Sequence, residues 1–308
     1  MRSRVVVTGV AGFIGSNLAD RLLAEGFKVV GVDNLAYGLA EQVPEGVEFH
    51  RLDIRDPGLG EVFRGARAIF HLAAKNCIPD CQTDPVETAA INVLGTVNVF
   101  EAAARAGVPR VIYAESAALY EGDPRLPSAE ESLAPQSFYA LSKMAARHFA
   151  EGFRRHRGLD LTALRYFCVY GPRQDYRRSL PPVMSAFILR LLRGQRPIIY
   201  GDGSKRRDFV HVDDVNDFHL QCLTDPRTRN GVFNLGSGRS HSVREILDLV
   251  CDIMGVSAEP EFHPDLPGEA QETRADISRA RALGWEPRTP LRKGLEEMVA
   301  YIKEHVPL

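Results

Sequence analysis

The chain has 308 residues, 44% hydrophobic and 25% charged, which is long enough to bury a substantial core and ordinary for a globular protein. A formal net charge of -2 leaves no footprint for nucleic acid or an anionic membrane, so the expected partner is a small molecule. The Val-rich run after Met1-Arg2-Ser3-Arg4 stops at Gly9, too short for a signal-peptide core or a membrane span, and a cytoplasmic location without membrane contact is expected. Five scattered cysteines fit no disulfide framework. Cys77 and Cys81 lack the spacing and companion ligands of a zinc site, so no metal is expected either.

Short β-branched runs alternate with helical patterns through the first half. Arg4–Thr8, Lys28–Asp33, Val47–Leu52, Ala68–Leu72, Arg110–Ala114 and Asp160–Tyr166 are predicted strands. Val5-Val6-Val7 and Val111-Ile112-Tyr113 lack polar alternation, as strands buried on both faces of a parallel sheet should. Helices are predicted over Ser16–Ala24 and Val86–Ala106, with Gly26 and Gly107 where a helix C-terminus favours a left-handed residue. The alternation predicts an α/β fold with a doubly wound parallel sheet of the Rossmann kind.

Beyond Gly171-Pro172 the rhythm changes. The spacing predicts a helix near Pro182–Arg193, a hairpin-like Ile198–Gly203, a helix after Val212, a strand Val232–Leu235, and helices near Val243–Met254 and Leu291–His305. This reads as a smaller mixed C-terminal substrate lobe over 171–308, some of whose segments return to the nucleotide-binding domain of 1–170. With no flexible linker between the halves, the lobe is expected to pack on the sheet and leave a cleft.

Thr8-Gly9-Val10-Ala11-Gly12-Phe13-Ile14-Gly15 follows the first strand and opens the first helix. There Gly9 suits a tight turn, Gly12 lets a pyrophosphate approach the backbone, Gly15 lets helix and strand pack closely, and free helix N–H groups offer an anion site. Asp33, ending the second strand, suits both ribose hydroxyls of an adenosine and repels a 2′-phosphate, which favours NAD over NADP; a turn or cap aspartate is the plain alternative. Asp53-Ile54 after the third strand suits the adenine edge and face, or a loop with no ligand.

Tyr139 and Lys143 stand four apart on a predicted helix, so phenol and ammonium share one face, where the ammonium favours phenolate and makes the tyrosine a usable proton acceptor. Ser116 ends the fifth strand at the sheet edge where open α/β folds bind ligands, and its hydroxyl suits a substrate oxygen.

The order TGxxGFIG, Asp33, His71-Leu72-Ala73-Ala74, Asn92-Val93-Leu94-Gly95-Thr96, Ser116, Tyr139-Ala140-Leu141-Ser142-Lys143 and Arg165-Tyr166-Phe167 resembles the extended short-chain dehydrogenase/reductases, in particular the NAD-dependent epimerase/dehydratase family typified by UDP-glucose 4-epimerase. Further landmarks extend the resemblance along the chain: Val169-Tyr170-Gly171-Pro172-Arg173-Gln174, Ile199-Tyr200-Gly201-Asp202-Gly203, Arg207-Asp208-Phe209-Val210-His211-Val212-Asp213-Asp214, Phe233-Asn234-Leu235-Gly236 and Leu283-Gly284-Trp285-Glu286-Pro287.

The resemblance implies an NAD-dependent nucleotide-sugar epimerase, foremost a UDP-hexose 4-epimerase. Tyr139 would take the proton of a sugar hydroxyl while NAD oxidises its carbon, Ser116 would orient that hydroxyl, and Lys143 would tune Tyr139 and hold the nicotinamide ribose. It assigns Gly9, Gly12, Phe13, Ile14, Gly15, Asp33, Asn34, Asp53, Ile54, Leu72, Ala73, Ala74, Asn92, Ala114, Tyr139, Lys143 and Tyr166 to the cofactor. It assigns Ser116, Ala117, Cys168, Tyr200, Arg207 and Thr273 to the sugar nucleotide, Arg207 at the diphosphate. A homodimer through Val86–Ala106 and Phe138–His156 is implied as well.

Several residues depart from the family pattern. Ala118 stands where dehydratases carry an acid, and Glu115 should point away from Ser116 on an extended strand, which ranks dehydration or reduction of a GDP- or dTDP-sugar second. Cys168 replaces an asparagine and Glu121 a glycine, while Leu266 replaces an arginine toward the diphosphate whose contact Arg274 or Arg178 would supply. A non-catalytic NAD-binding sensor or scaffold is the reading of another class. Thr273 leaves room for a sugar substituent, so UDP-glucose, UDP-N-acetylglucosamine and UDP-glucuronate all remain candidates. Lys75 and Asn76 suit substrate contact or plain loop polarity. His71 is expected to be a structural imidazole, Asp213-Asp214 a helix cap, and Trp285 an anchor of the C-terminal lobe.

Overall fold

The computed structural model describes residues 3–178, 180–265 and 269–306. In it Val5, Val6 and Val7 are fully buried, as a strand covered on both faces requires. Strands β1 (Arg4–Thr8), β2 (Lys28–Asp33), β3 (Glu48–Arg51), β4 (Ala68–His71), β5 (Arg110–Ser116) and β6 (Asp160–Tyr166) lie within two residues of the expected runs. Next come β7 (Cys168–Tyr170), β8 (Ile198–Tyr200), β9 (Arg206–His211) and β10 (Val232–Leu235). One seven-stranded sheet has the order β10-β6-β5-β4-β1-β2-β3, with β1–β2, β2–β3, β1–β4 and β4–β5 all parallel. The chain starts at the middle, builds outward to β3 and returns to the other side of β1. The carboxyl ends of β1 and β4 therefore flank the switch point where doubly wound sheets bind ligands.

Helices α1 (Phe13–Ala24), α2 (Leu59–Phe63), α3 (Ile78–Thr83), α4 (Pro85–Ala89), α5 (Thr96–Arg105) and α6 (Phe138–Arg157) connect these strands. The expected single helix Val86–Ala106 is instead α4, a π-helical stretch Ala90–Gly95, and α5. Tertiary contacts at that stretch override the 3.6-residue period. Asn92 turns inward to bond the backbone of Lys75, and a Cβ on Gly95 would stand 2.6 Å from Ile54 Cδ1.

Two compact units emerge from the internal packing, Met1–Gly122 with Leu133–Arg165 and Asn216–Phe233, and Asp123–Ser132 with Tyr166–Val215 and Asn234–Leu308. The first holds a core of Val6, Phe63, Ile69, Phe100, Val111 and Tyr113. In the second, helices α7 (Val183–Leu192), α8 (Val212–Thr224), α9 (Val243–Met254), α10 (Ser278–Ala282) and α11 (Leu291–His305) accompany strands β11 (Ser240–Ser242) and β12 (Glu261–His263), α8 passing from this unit into the first. Its core joins Tyr170, Phe187, Phe209, Leu247, Leu295 and Ile302.

Two expectations are corrected there. Ile198–Gly203 is no hairpin: β8 pairs in parallel with β12, while the chain turns through Gly201 and Gly203, both at positive φ, into β9, which pairs with β7 and β11. Asp213 and Asp214 lie inside the first turn of α8 rather than capping it. Asp214 accepts the N–H groups of Arg288 and Thr289, whereas Asp213 lies 3.7 Å from the His211 imidazole, so the two acids do not act as a pair. Trp285 is buried and donates to the Asp214 carbonyl at 2.8 Å, tying down that segment.

Two imidazoles lie in the first unit's interior. His71 is held between Thr8 Oγ1 at 2.8 Å and Thr96 Oγ1 at 3.0 Å, as a structural histidine should be, and His219 packs edge-on against Phe70. Burial pulls both from 6.5 down to about 3, with the Lys143 charge adding to the effect at His71. Between these values the unfolded chain binds protons that the folded chain refuses, so stability is full above pH 6.5 and falls as the pH drops toward 3. Unfolding free energies from urea titrations at pH 7 to 5 should decline by up to about 1.4 kcal/mol per pH unit for each imidazole. His71→Asn should flatten that slope, and an unchanged slope would contradict this account.

Candidate active site

The Gly9–Gly15 loop leaves β1 at the switch point. Gly9 takes φ +76°, and a Cβ there would stand 2.8 Å from Ala73 N, so the loops after β1 and β4 touch backbone to backbone. A Cβ on Gly15 would lie 2.1 Å from the Gly9 carbonyl, the close helix–strand contact that the spacing demanded. The N-cap of α1 is Gly12, with no side-chain hydrogen bond, so the first-turn N–H groups at Phe13, Ile14 and Gly15 face no capping side chain. A bare cradle on a helix N-terminus fits a pyrophosphate.

Asp33 is held by the N–H groups of Ala11 at 3.0 Å and Leu35 at 2.8 Å, which fixes its carboxylate beside that loop. Burial raises its pKa despite these two bonds. Asn34 donates to Asp53 at 2.8 Å, and Arg55 grips both carboxylate oxygens of Asp53. With the Arg55 N–H added, Asp53 accepts four hydrogen bonds, which fills its lone-pair sites. Asp53 therefore shapes this corner, while Ile54 is buried against Gly95.

The loop Leu72-Ala73-Ala74 is pinned to β1 by Leu72 N to the Thr8 carbonyl at 3.1 Å. The amide of Asn92 both accepts from and donates to the Lys75 backbone, and also donates to Ser142 Oγ at 3.0 Å. Asn92 therefore locks the loop after β4 onto α6, with all its polar atoms engaged in protein contacts.

On α6, Tyr139 and Lys143 are both buried, and Lys143 Nζ sits 5.9 Å from the Tyr139 ring centroid. The ammonium donates to the Ala114 carbonyl at 3.0 Å, two residues before Ser116 at the end of β5. Burial lowers Lys143 from 10.5 to about 8, against the opposing pull of Glu115 and Cys81. Ser116 opens the tight turn Ala117–Tyr120, accepting from Ala118 N at 3.2 Å, and this turn packs against α6. Glu115 points away from Ser116, as strand alternation predicts. It is wholly buried, accepting from Arg165 Nε at 2.6 Å and from the Tyr113 hydroxyl at 3.0 Å.

Residues 5–236 match the model of the NAD dependent epimerase/dehydratase family. The chain belongs to that family. It is 38% identical to a UDP-glucose 4-epimerase of Mycolicibacterium smegmatis over 97% of this chain and 98% of that one. Among solved structures it is similar to a UDP-glucose 4-epimerase of Thermotoga maritima with UDP-glucose, at TM-score 0.94 and 33% identity, covering 99% of this chain and 100% of that one. It is also similar to a Thermus thermophilus UDP-glucose 4-epimerase complexed with NAD, at TM-score 0.91 and 36% identity over 98% and 100% of the two chains.

The remaining residues that the epimerase/dehydratase resemblance singled out, Tyr166, Cys168, Tyr200, Arg207 and Thr273, belong to the second unit. Tyr166 ends β6 and is buried. Burial pushes the Cys168 thiol up to about 11, so it stays neutral and offers only weak hydrogen bonding where the family pattern has an amide. Tyr200 packs edge-on against His263, and Thr273 Oγ1 accepts from Asp208 N at 3.3 Å. Arg207 donates to the carbonyls of Arg206 and Ala270 and lies 3.4 Å from Glu269. Leu266 lies outside the described residues. Of its suggested substitutes, Arg178 lies 3.5 Å from Asp175 and Arg274 lies 4.0 Å from Glu272.

Sequence reasoning passed over the groups that hold α6 in place. Ser142 Oγ donates to the Tyr139 carbonyl at 2.7 Å, and Ser137 caps the helix through Ala140 N at 3.1 Å. A serine directly before an amphipathic run was the available signal for the cap.

Proposed function

We propose that this protein is a UDP-hexose 4-epimerase that works by transient oxidation of the sugar at C4. The observation that carries the reading is the buried Lys143 ammonium, beside the Tyr139 ring and bonded to the strand that ends in Ser116. When bound, NAD supplies a reversible hydride acceptor, and the uncapped α1 terminus with Gly9, Gly12, Phe13, Ile14 and Gly15 fits its pyrophosphate. Asp33 is the proposed acceptor for the adenosine ribose hydroxyls, and tighter binding of NADP than of NAD would contradict that role.

Tyr139 takes the proton of the C4 hydroxyl and later returns it, and Lys143 supplies the positive charge that favours the phenolate. Ser116 orients the hydroxyl. For the sugar nucleotide, Arg207 is the proposed diphosphate contact, with Ala117, Cys168, Tyr200 and Thr273 lining the rest. Dehydration ranks lower because position 118 is alanine and the carboxylate of Glu115 is buried against Arg165. A purely scaffolding role gives no reason to bury an ammionium beside a phenol.

Incubation with UDP-glucose, UDP-N-acetylglucosamine, UDP-glucuronate, dTDP-glucose and GDP-mannose, followed by NMR, should reveal a C4 epimer of a UDP-sugar. A 4-keto-6-deoxy product, or no conversion at all, would reject the reading.

We also propose a cytoplasmic homodimer. All five cysteines are free thiols, which suits a reducing compartment, and among the described residues no helix is long and apolar enough to cross a membrane. Phe138, Leu141 and Phe149 expose a stripe along α6, and Val86 and Leu94 are exposed nearby in sequence to α5. Secretion of the protein would contradict the first proposal, and an equilibrium mass near 34.1 kDa at micromolar concentration the second.

A further inference from the structure

We infer that Glu121 is a positioning residue for Tyr139, locking the turn that follows Ser116 onto the first turn of α6. The inference rests on the epimerase reading. β5 ends at Ser116, and the turn it opens closes at Glu121, whose N–H donates to the Ala118 carbonyl at 3.2 Å. The Glu121 carboxylate then accepts from Ser137 N at 2.8 Å, Ser137 Oγ at 2.9 Å and Gln136 N at 3.2 Å. Ser137 is the N-cap of α6 and Tyr139 lies two residues beyond it.

Ser137 Oγ donates to Glu121 and accepts from Ala140 N, so the capping hydroxyl is oriented at both ends. A charged acceptor strengthens such bonds, and the N-terminus of a helix favours negative charge. Phe138 N donates to Gln82 Oε1 at 2.8 Å, so side chains from two other segments complete the first turn. The contrast with α1 is informative. Among the described residues no side chain caps that helix, as an anion site requires, whereas at α6 the N–H groups of Phe138 and Ala140 are engaged by side chains, as a rigid mount requires.

Backbone bonds from Gly122 N to the Ala134 carbonyl and from Ala134 N to the Leu119 carbonyl already set the distance between the two segments. The carboxylate adds orientation, and only in a residue with a side chain. Ser116 and Tyr139 reside on the two segments that Glu121 joins, and small displacements between reacting groups are expensive in rate.

Glu121→Gln tests the inference, because an amide NH2 cannot accept the bonds that one carboxylate oxygen now accepts. The expected result is a kcat lowered about tenfold to hundredfold, with KM for the UDP-sugar changed less than about twofold. Backbone hydrogen exchange of the NAD-bound protein should rise over residues 136–142. Ser137→Ala combined with Glu121→Gln should lower kcat by less than the product of the separate effects, since the two changes share the Ser137 Oγ–Glu121 bond. An unchanged kcat with unchanged exchange would overturn the inference, as would a loss of kcat that merely follows a reduced folded fraction. If the unsubstituted protein converts no UDP-sugar, the epimerase reading fails by itself and the exchange measurement decides alone: increased exchange in Glu121→Gln supports the lock, and unchanged exchange overturns it.

Discussion

Tyr139→Phe should lower kcat by about 10²–10⁴-fold, the range that a positioned proton acceptor supplies. The phenyl ring keeps its place on α6 beside Lys143, and only the hydroxyl is lost. Bound NAD and the thermal midpoint should therefore change little, and KM for the UDP-sugar should stay near its original value. A variant that retains full turnover would remove Tyr139 from the chemistry. Lys143→Met should also lower kcat, and should weaken NAD retention as well, because the ammonium is assigned to both tasks.

The largest expected effect on stability comes from Arg165→Met. Arg165 and Glu115 are both wholly buried, and their 2.6 Å pair is extended by Arg165 to the Tyr120 hydroxyl and by Tyr113 to Glu115. Removing the guanidinium leaves a carboxylate in the interior with Tyr113 as its nearest hydrogen-bond donor and Arg147 3.7 Å away. Breaking one side of a buried pair costs about 3–5 kcal/mol, which a lower urea midpoint would report. Adding Glu115→Gln should recover part of the loss by removing the orphaned charge. A double variant less stable than Arg165→Met would show that the pair is not what holds β5, β6 and the Ser116 turn together.

The candidate site was legible where chemistry requires a spacing. A glycine that must let α1 approach β1, an acid at the end of β2, and a phenol four residues from an ammonium each leave a local mark, and Gly15, Asp33, Tyr139 and Lys143 sit as their marks imply. Glu115 shows how far strand alternation reaches: it predicted the direction of the side chain but not Arg165, fifty residues away, that makes burial tolerable. Asn92 shows where that logic stops, because Lys75 and Ser142, 17 and 50 residues away, take up its side-chain hydrogen bonds.

The amino-acid sequence by itself determined the parallel sheet, the phosphate loop and the tyrosine–lysine pair, because each follows from periodicity or from a fixed offset along one element. Tertiary structure alone decided the π-helical break at Ala90–Gly95, the parallel pairing of β8 with β12, the clamp of Asp214 on residues 288–289 and the lock of Glu121 on α6. Each of these features depends on contacts between separate segments, and a donor's choice among their acceptors is settled only when packing brings one of them within reach.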